Sequence, residues 1–400
     1  WATDGDMTLQ HQTPLHARTI QQAIWLARLV GTAILSLALS ATPVHAQSIL
    51  RDAETEALLN DMAEPLIRAA GLRPADVRIL LIGEKSINAF VAGGQIVYIH
   101  SGLIENADNA NQVQGVIAHE LGHVAGGHVV RTDGADRATT ISLVSLLLGA
   151  VAIAAGAGEA GMGVMAAGQQ AALGSYLAYS RVQEATADAA GARYLSAAGI
   201  SGRGSVDFFM TLQNQEFRYN IPQDDEQAYG RTHPLSGDRI RFLRDTYQAD
   251  AAWDTPTAPA LEARFQRVKA KLGGFVNEPQ LTLRRFPDSD NSTAAHYARA
   301  YAWHKSAHPD RALSEVAALV RSAPDDPYFL ELEGQVLLES GRPADAVAPL
   351  RRAVAGTAQQ PLIAALFGHA LIATEDESNY PEAEAVLRGR GDVVVVPSER

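Results

Sequence analysis

The stretch Val116-Ile117-Ala118-His119-Glu120-Leu121-Gly122-His123-Val124-Ala125-Gly126 decides how this chain is read. On a helix, residues four apart share a face, so the imidazoles of His119 and His123 can reach one metal ion. Glu120, one residue on, can take the proton of a water on that metal. The apolar residues ahead of the motif predict a helix over Asn111 to Val130. A tetrahedral catalytic zinc needs a third protein ligand and one open position. The extended pattern His-Glu-x-x-His-x-x-Gly-x-x-His fails here. Gly126 fits its glycine, but Val129 stands where the third histidine belongs and His128 is one place short. His128 therefore reads as a supporting or surface histidine. Glu184 and Asp188, four apart on a later helix, are the better candidates: Glu184 as the third ligand, Asp188 orienting a zinc-bound histidine from behind. Glu159 lies in a Gly-rich turn and Glu105 precedes a loop, so neither competes well. The plain alternative for Glu184 and Asp188 is a solvated acidic pair.

The rest of the composition narrows the chemistry. The chain has 400 residues, 47% apolar and 20% charged, which is globular and enough for two or three domains. It carries 45 acidic against 33 basic residues, net −12, with no basic block. Nucleic acid is not expected as a partner, and the charge reads as solubility. There is no cysteine, so disulfides, thiolate zinc sites and a cysteine nucleophile are excluded. Any metal must be held by His, Asp and Glu.

The chain starts at Trp1, and Met7 is an alternative start. Arg18 and Arg28 precede an apolar run from Leu29 to Leu39, and Val44 and Ala46 are small. This predicts a secretory signal over residues 1–46, cleaved near Ala46, and suits export to a bacterial periplasm. The run is short for a membrane anchor, which needs roughly 20 residues.

Further along, the pattern predicts a helix over 47–75 and a strand from Val77 to Ile82. A strand, a Gly93-Gly94 turn and a second strand, Ile96 to Ile99, follow within Ser86 to Ile104. Thr139–Gly158 and Ala160–Ser180 are uncharged for 20 and 21 residues. They read as a buried helical hairpin packed on small residues, or as a hairpin in peripheral contact with lipid or covering a site, or as spans. Further helices are expected over Arg181 to Ala198, Val206 to Phe217, from Ser236, and over Leu261 to Leu272. An acidic loop, Pro222 to Gly230, precedes His233-Pro234. The polar stretch 286–292 reads as a linker. Beyond it, Pro327 and Pro361, Gly334 and Gly368, and Leu337 and Leu371 each recur after 34 residues. That period, with small residues at Ala300, Ala312 and Ala346, is the tetratricopeptide signature over 293–400. The third unit drifts, its second helix near Glu382 to Leu387 coming about three residues late. The tail Val393 to Val396 resembles no capping helix, so a truncated or frame-shifted C-terminus is expected.

Together these residues resemble the HtpX/BepA-like zinc metallopeptidases of peptidase family M48, the BepA-like periplasmic group in particular. The likeness rests on His119-Glu120-Leu121-Gly122-His123, on Glu184-x-x-x-Asp188, and on His233-Pro234 with Arg239 six residues after the histidine. Asn88-Ala89-Phe90, Gly93-Gly94, Tyr98 and Ser101-Gly102-Leu103 add to it. The resemblance implies a mainly α fold with a small β-sheet: an α+β zincin-like domain over 47–285, followed by the helical repeats. It implies one Zn²⁺ per chain on His119, His123 and Glu184, with Glu120 as general base and proton donor. His233 would stabilise the oxyanion or cap the metal, and Arg239 would support that loop or the oxyanion. Gln95, Ile96, Val97 and Tyr98 would form an open edge holding substrate as an added strand. The implied activity is endopeptidase hydrolysis of misfolded or stalled envelope proteins, with outer-membrane assembly machinery as a partner of the repeats. The rival expectation is a non-proteolytic assembly factor or chaperone acting through the repeats.

Overall fold

The computed structural model describes residues 48–128, 133–218 and 237–389. The expected signal segment, the acidic loop 222–230, His233 and Val393 to Val396 lie outside the described residues.

The chain opens with a short strand β1 (Ile49–Leu50) and helix α1 (Ala53–Ala69), whose first turn is capped by Asp52 accepting from the Thr55 amide. Strands β2 (Arg78–Ile82), β3 (Ala89–Ala92) and β4 (Ile96–His100) complete a mixed sheet in the order β1-β2-β4-β3. Gly93 and Gly94 turn β3 into β4 with φ of 63° and 94°, a backbone that disfavours a side chain. Then come α2 (Ser101–Asn106), α3 (Ala110–Gly126), α4 (Asp133–Ala154), α5 (Gly158–Ala197), α6 (Arg203–Arg218), α7 (Gly237–Gln248) and α8 (Pro259–Val276). One hydrophobic cluster unites α1, the sheet, α3, the second half of α5, and α6 to α8; Met62, Val97, Ile117, Leu195, Phe208 and Phe265 are at its centre.

Two expectations are corrected here. The strand carrying Ile96, Val97 and Tyr98 is not an open edge. β4 pairs in parallel with β2 on one side and antiparallel with β3 on the other, so both its edges are taken. Val97 is fully buried, and Gln95 lies in the turn, its carbonyl accepting from the Arg78 amide. The outer strand of the described sheet on that side is β3.

The uncharged segments do form a helical hairpin, but not a buried one. Leu143, Val144, Leu146, Leu147, Leu148 and Val151 are exposed, while Ser145 and Gly149 are turned inward. The second helix does not break at Arg181 either. α5 runs unbroken for 40 residues, because nothing from Gly158 to Ala197 interrupts its backbone ladder and its C-terminal half is buried.

Past α8 the described residues form only helices and their connections: α9 (Pro279–Arg285), α10 (Thr293–Lys305), α11 (Pro309–Ser322), α12 (Pro327–Glu339), α13 (Pro343–Gly356), α14 (Pro361–Ala373) and α15 (Tyr380–Arg388). Helices α10, α12 and α14 start 34 residues apart. Small residues let the helices cross. A Cβ on Gly334 would lie 2.3 Å from Leu350, and one on Gly368 would lie 2.6 Å from Leu387.

These helices are bolted to the first part of the molecule. Arg267 of α8 binds Glu54 at 2.5 Å and Asp326 at 2.6 Å. Lys271 reaches Asp52, and the Tyr297 hydroxyl donates to Glu54 at 2.6 Å. Glu331 of α12 faces the same cluster, its Oε2 sealed from solvent with no hydrogen-bond partner among the described residues. Burial pushes its carboxyl up to about 8, against the pull of Lys271. Arg299, 1% exposed, donates to the carbonyls of Pro287 and Asp290, so the stretch expected to be a linker is clamped.

Candidate metal centre

Helix α3 starts at Asn109, whose side chain accepts from the Gln112 amide, and ends at Gly127 in the left-handed conformation. Between these caps, His119, Glu120 and His123 face inward and all three are buried. What places a carboxylate opposite them is the close approach of α5. A Cβ on Gly122 would lie 2.6 Å from the Ala187 carbonyl oxygen, and one on Gly191 would lie 3.1 Å from Ala118. The glycine inside the motif is thus a packing requirement. It lets Glu184 and Asp188, one turn apart on α5, meet the two histidines. On its other flank α3 takes α6 closely, with a Cβ on Gly115 falling 2.7 Å from Ser205.

The His119 and His123 Nε2 atoms are 3.1 Å apart. Glu184 lies 3.4 Å from the first through Oε2 and 3.3 Å from the second through Oε1. In a tetrahedral zinc site with bonds of roughly 2.0–2.1 Å, neighbouring donor atoms stand about 3.3–3.4 Å apart. The donor set is two imidazoles and a carboxylate, which suits a borderline cation. Among the described residues, the buried carboxylates Glu120, Glu184 and Asp188 face one guanidinium, Arg239. With both histidines neutral, as metal binding requires, the excess of two negative charges in a buried place is costly, and a divalent cation would offset it. The residues therefore fit such a metal.

Around the donors the supports are well made. Asp188 Oδ1 lies 2.9 Å from His119 Nδ1. Arg239 binds Asp188 with two prongs, at 2.8 and 2.9 Å, and reaches Glu184 Oε2 at 3.0 Å. It also lies 5.5 Å from the Phe209 ring centre, and that ring meets His119 edge-on. His128 Nδ1 is 2.8 Å from His123 Nδ1, and its own Nε2 meets Thr186 Oγ1 at 3.2 Å. Burial works against the charged form of His119, but the bonds from Asp188 and Glu184 win and hold it at about 10. Burial pushes His123 down despite Glu184. Burial would raise Asp188, yet His119 and Arg239 keep it below the usual range. The apoprotein therefore holds a proton between His119 and Asp188, where bound metal would hold the imidazole neutral.

The structure thus brings together His119, Glu120, His123, Glu184, Asp188 and Arg239. It places Arg239 behind the ligands as a brace on Glu184 and Asp188. His233 lies outside the described residues. Gln95, Ile96, Val97 and Tyr98 belong to the turn and central strand described above. Sequence reasoning missed Phe209 altogether, since an apolar residue in an amphipathic helix carries no mark of its neighbour. Of the two readings of His128, supporting or surface, its contact with His123 Nδ1 favours the first.

A buried pair of histidines and a glutamate, with a second glutamate on the same helical turn, is the centre of a metallopeptidase. Residues 52–247 match peptidase family M48, so this part of the chain is a metalloendopeptidase domain of that kind. Several characterised proteins are similar. One is the beta-barrel assembly-enhancing protease of Yersinia pestis, 26% identical over 316 residues, covering 76% of this chain and 63% of that protein. The putative beta-barrel assembly-enhancing protease of Vibrio cholerae is 25% identical over 291 residues, 71% of this chain and 59% of its own. Metalloprotease LoiP of Escherichia coli is 31% identical over 182 residues, 44% of this chain and 65% of its own. The chain thus spans less than two thirds of each of these relatives.

Proposed function

We propose that the chain is an exported zinc endopeptidase that hydrolyses misfolded or stalled outer-membrane proteins. The convergence of His119, His123 and Glu184, with Glu120 buried on the same helical turn, carries the reading. His119, His123 and Glu184 would hold the zinc, which would supply Lewis acidity at the site. Glu120 would take the proton of the attacking water and return it to the leaving amine. Asp188 fixes the tautomer of His119 by accepting from Nδ1, which leaves Nε2 as the donor atom. Arg239 holds both carboxylates in place. By resemblance His233 would stabilise the oxyanion or cap the metal, and β3, the outer strand, would take the added substrate strand in place of β4. Export rests on the signal-like residues 1–46. The outer-membrane substrate is suggested by the names of the Yersinia and Vibrio relatives. The 34-residue step of α10, α12 and α14 supports tetratricopeptide repeats over 293–400 that bind an assembly partner, beyond a peptidase domain over 47–285.

A second reading keeps the repeats and drops the catalysis: an assembly factor with a silent metal centre. Glu120→Gln separates the two. Loss of about 10²–10⁴-fold in cleavage of an unfolded outer-membrane protein, with metal retained, is the expected result. Full activity in the variant sinks the general-base role. A zinc-loaded wild type that cleaves nothing yet restores assembly establishes the scaffold.

A further inference from the structure

The α4/α5 hairpin is packed inside out for a protein surrounded by water. Its interior is made of small residues. A Cβ on Gly161 would lie 2.5 Å from the Gly149 carbonyl oxygen, and one on Gly168 would fall on the Ser145 side chain. Ser142 donates across the pair to Gln169 at 2.9 Å. Large apolar side chains point the other way. Leu143, Val144, Leu147, Leu148 and Val151 recur at the spacing of one helical face, and Leu146 and Ile153 widen it. Leu147 and Val151 are 68% and 67% exposed. Small residues between helices and large apolar ones outside are how helices pack in lipid, where no hydrophobic gain comes from burying leucine.

Three features say what covers this face. A chain of net charge −12 keeps every charge off the segment from Ala138 to Gly158. A protein partner would be expected to meet a polar rim around an apolar centre, and from Ile141 to the end of α4 every exposed side chain is apolar. The helix is also long enough: Asp136–Ala154 is 19 residues, roughly 28 Å, against a hydrocarbon thickness of about 30 Å. Finally, the arginine and tyrosine anchors gather at one end. The helices run antiparallel, so exposed Arg137 and Arg181 and half-buried Tyr176 and Tyr179 all lie at the base, where headgroups would be.

We propose that the α4/α5 hairpin is a lipid-docking element that inserts the outer face of α4 into a bilayer. The attraction is apolar, so a zwitterionic surface suffices and salt does not release it. One consequence rests on the peptidase reading. Glu184 stands three residues past Arg181 on the same unbroken helix, about 4.5 Å further along its axis. The metal centre is then held within a turn of the headgroup level, and its substrates are polypeptide segments emerging at a membrane surface.

The test is flotation of the full chain with phosphatidylcholine vesicles on a density gradient at low and high salt. Wild type is expected to rise with the vesicles at both. Leu147→Glu with Val151→Glu should cut the floated fraction by about tenfold. Both side chains are exposed, so the melting temperature and metal content should stay at wild-type values and show that the variant is folded. Glu120→Gln should float like wild type, so that failure of docking and failure of the peptidase reading are told apart. Wild type that stays at the bottom overturns the proposal, as does a double variant that still floats. Vesicle-free dimers that vanish in the double variant, with no flotation, overturn it in favour of a second copy of the chain.

Discussion

Gly122→Ala adds one methyl group at the crossing of α3 and α5. That Cβ would lie 2.6 Å from the Ala187 carbonyl oxygen and 2.8 Å from its Cα, where ordinary contact begins at 3.4 Å. Both obstacles are backbone, so the helices must part by roughly 0.6–0.8 Å to restore an ordinary contact. Glu184 sits one turn from Ala187 and moves with it. Metal–donor distances tolerate only about 0.2 Å of error, so the third ligand is pulled out of reach. In an unhindered helix the same change would stabilise by about 0.5–1 kcal/mol. Overpacking costs about 1–3 kcal/mol and reverses the sign. The expected outcome is a lower melting temperature together with at least a tenfold weaker zinc affinity, measured by chelator competition. Gly174→Ala, also in α5 but with nothing near its Cβ, is the control and should be neutral or stabilising. A Gly122→Ala protein that binds zinc as tightly as wild type would refute the reasoning that this glycine sets the ligand geometry.

Two more outcomes follow from the described contacts. Asp188→Asn keeps the shape but removes the charge that holds His119 Nδ1 and Arg239; metal affinity should drop about 10–100-fold in the same competition assay, and an unchanged affinity would make Asp188 dispensable. Glu331→Gln should raise the melting temperature at pH 8 and much less at pH 5. The unfolded carboxyl ionises near its ordinary value while the folded one resists until about 8, so stability is lost as pH rises between the two, on the order of 1 kcal/mol or more. Equal gains at both pH values would rule this out.

Much of the candidate site is legible in the sequence because helical spacing is local. His119 and His123 must share a face, and so must Glu184 and Asp188, whatever surrounds them. The 34-residue helical step is legible for the same reason. What escapes is set by distant neighbours. Alternation in Ile96 to Ile99 marks a strand but cannot say that β2 and β3 occupy both its edges. The composition of 139–180 marks a hairpin of small and apolar residues. Which of the two faces inward depends on what the helices pack against, and that is absent from the pattern. The family resemblance ties Arg239 to the His233 loop or the oxyanion. Only the approach of α7 to α5 shows its guanidinium locked behind the ligands.

The clamp of Arg299 on the carbonyls of Pro287 and Asp290, with Arg267 bound to Asp326 and Tyr297 to Glu54 across the two halves, leaves no hinge at 286–292. The molecule is therefore a gauge of fixed span. A polypeptide held by the C-terminal helices is not carried to the metal centre by any swing of those helices. On the proposed endopeptidase reading, a captured chain would have to bring its own slack, and only one with an unfolded stretch long enough to cover the span would be cut. Selection would then read how much of a client is still unstructured, with no need to read its sequence.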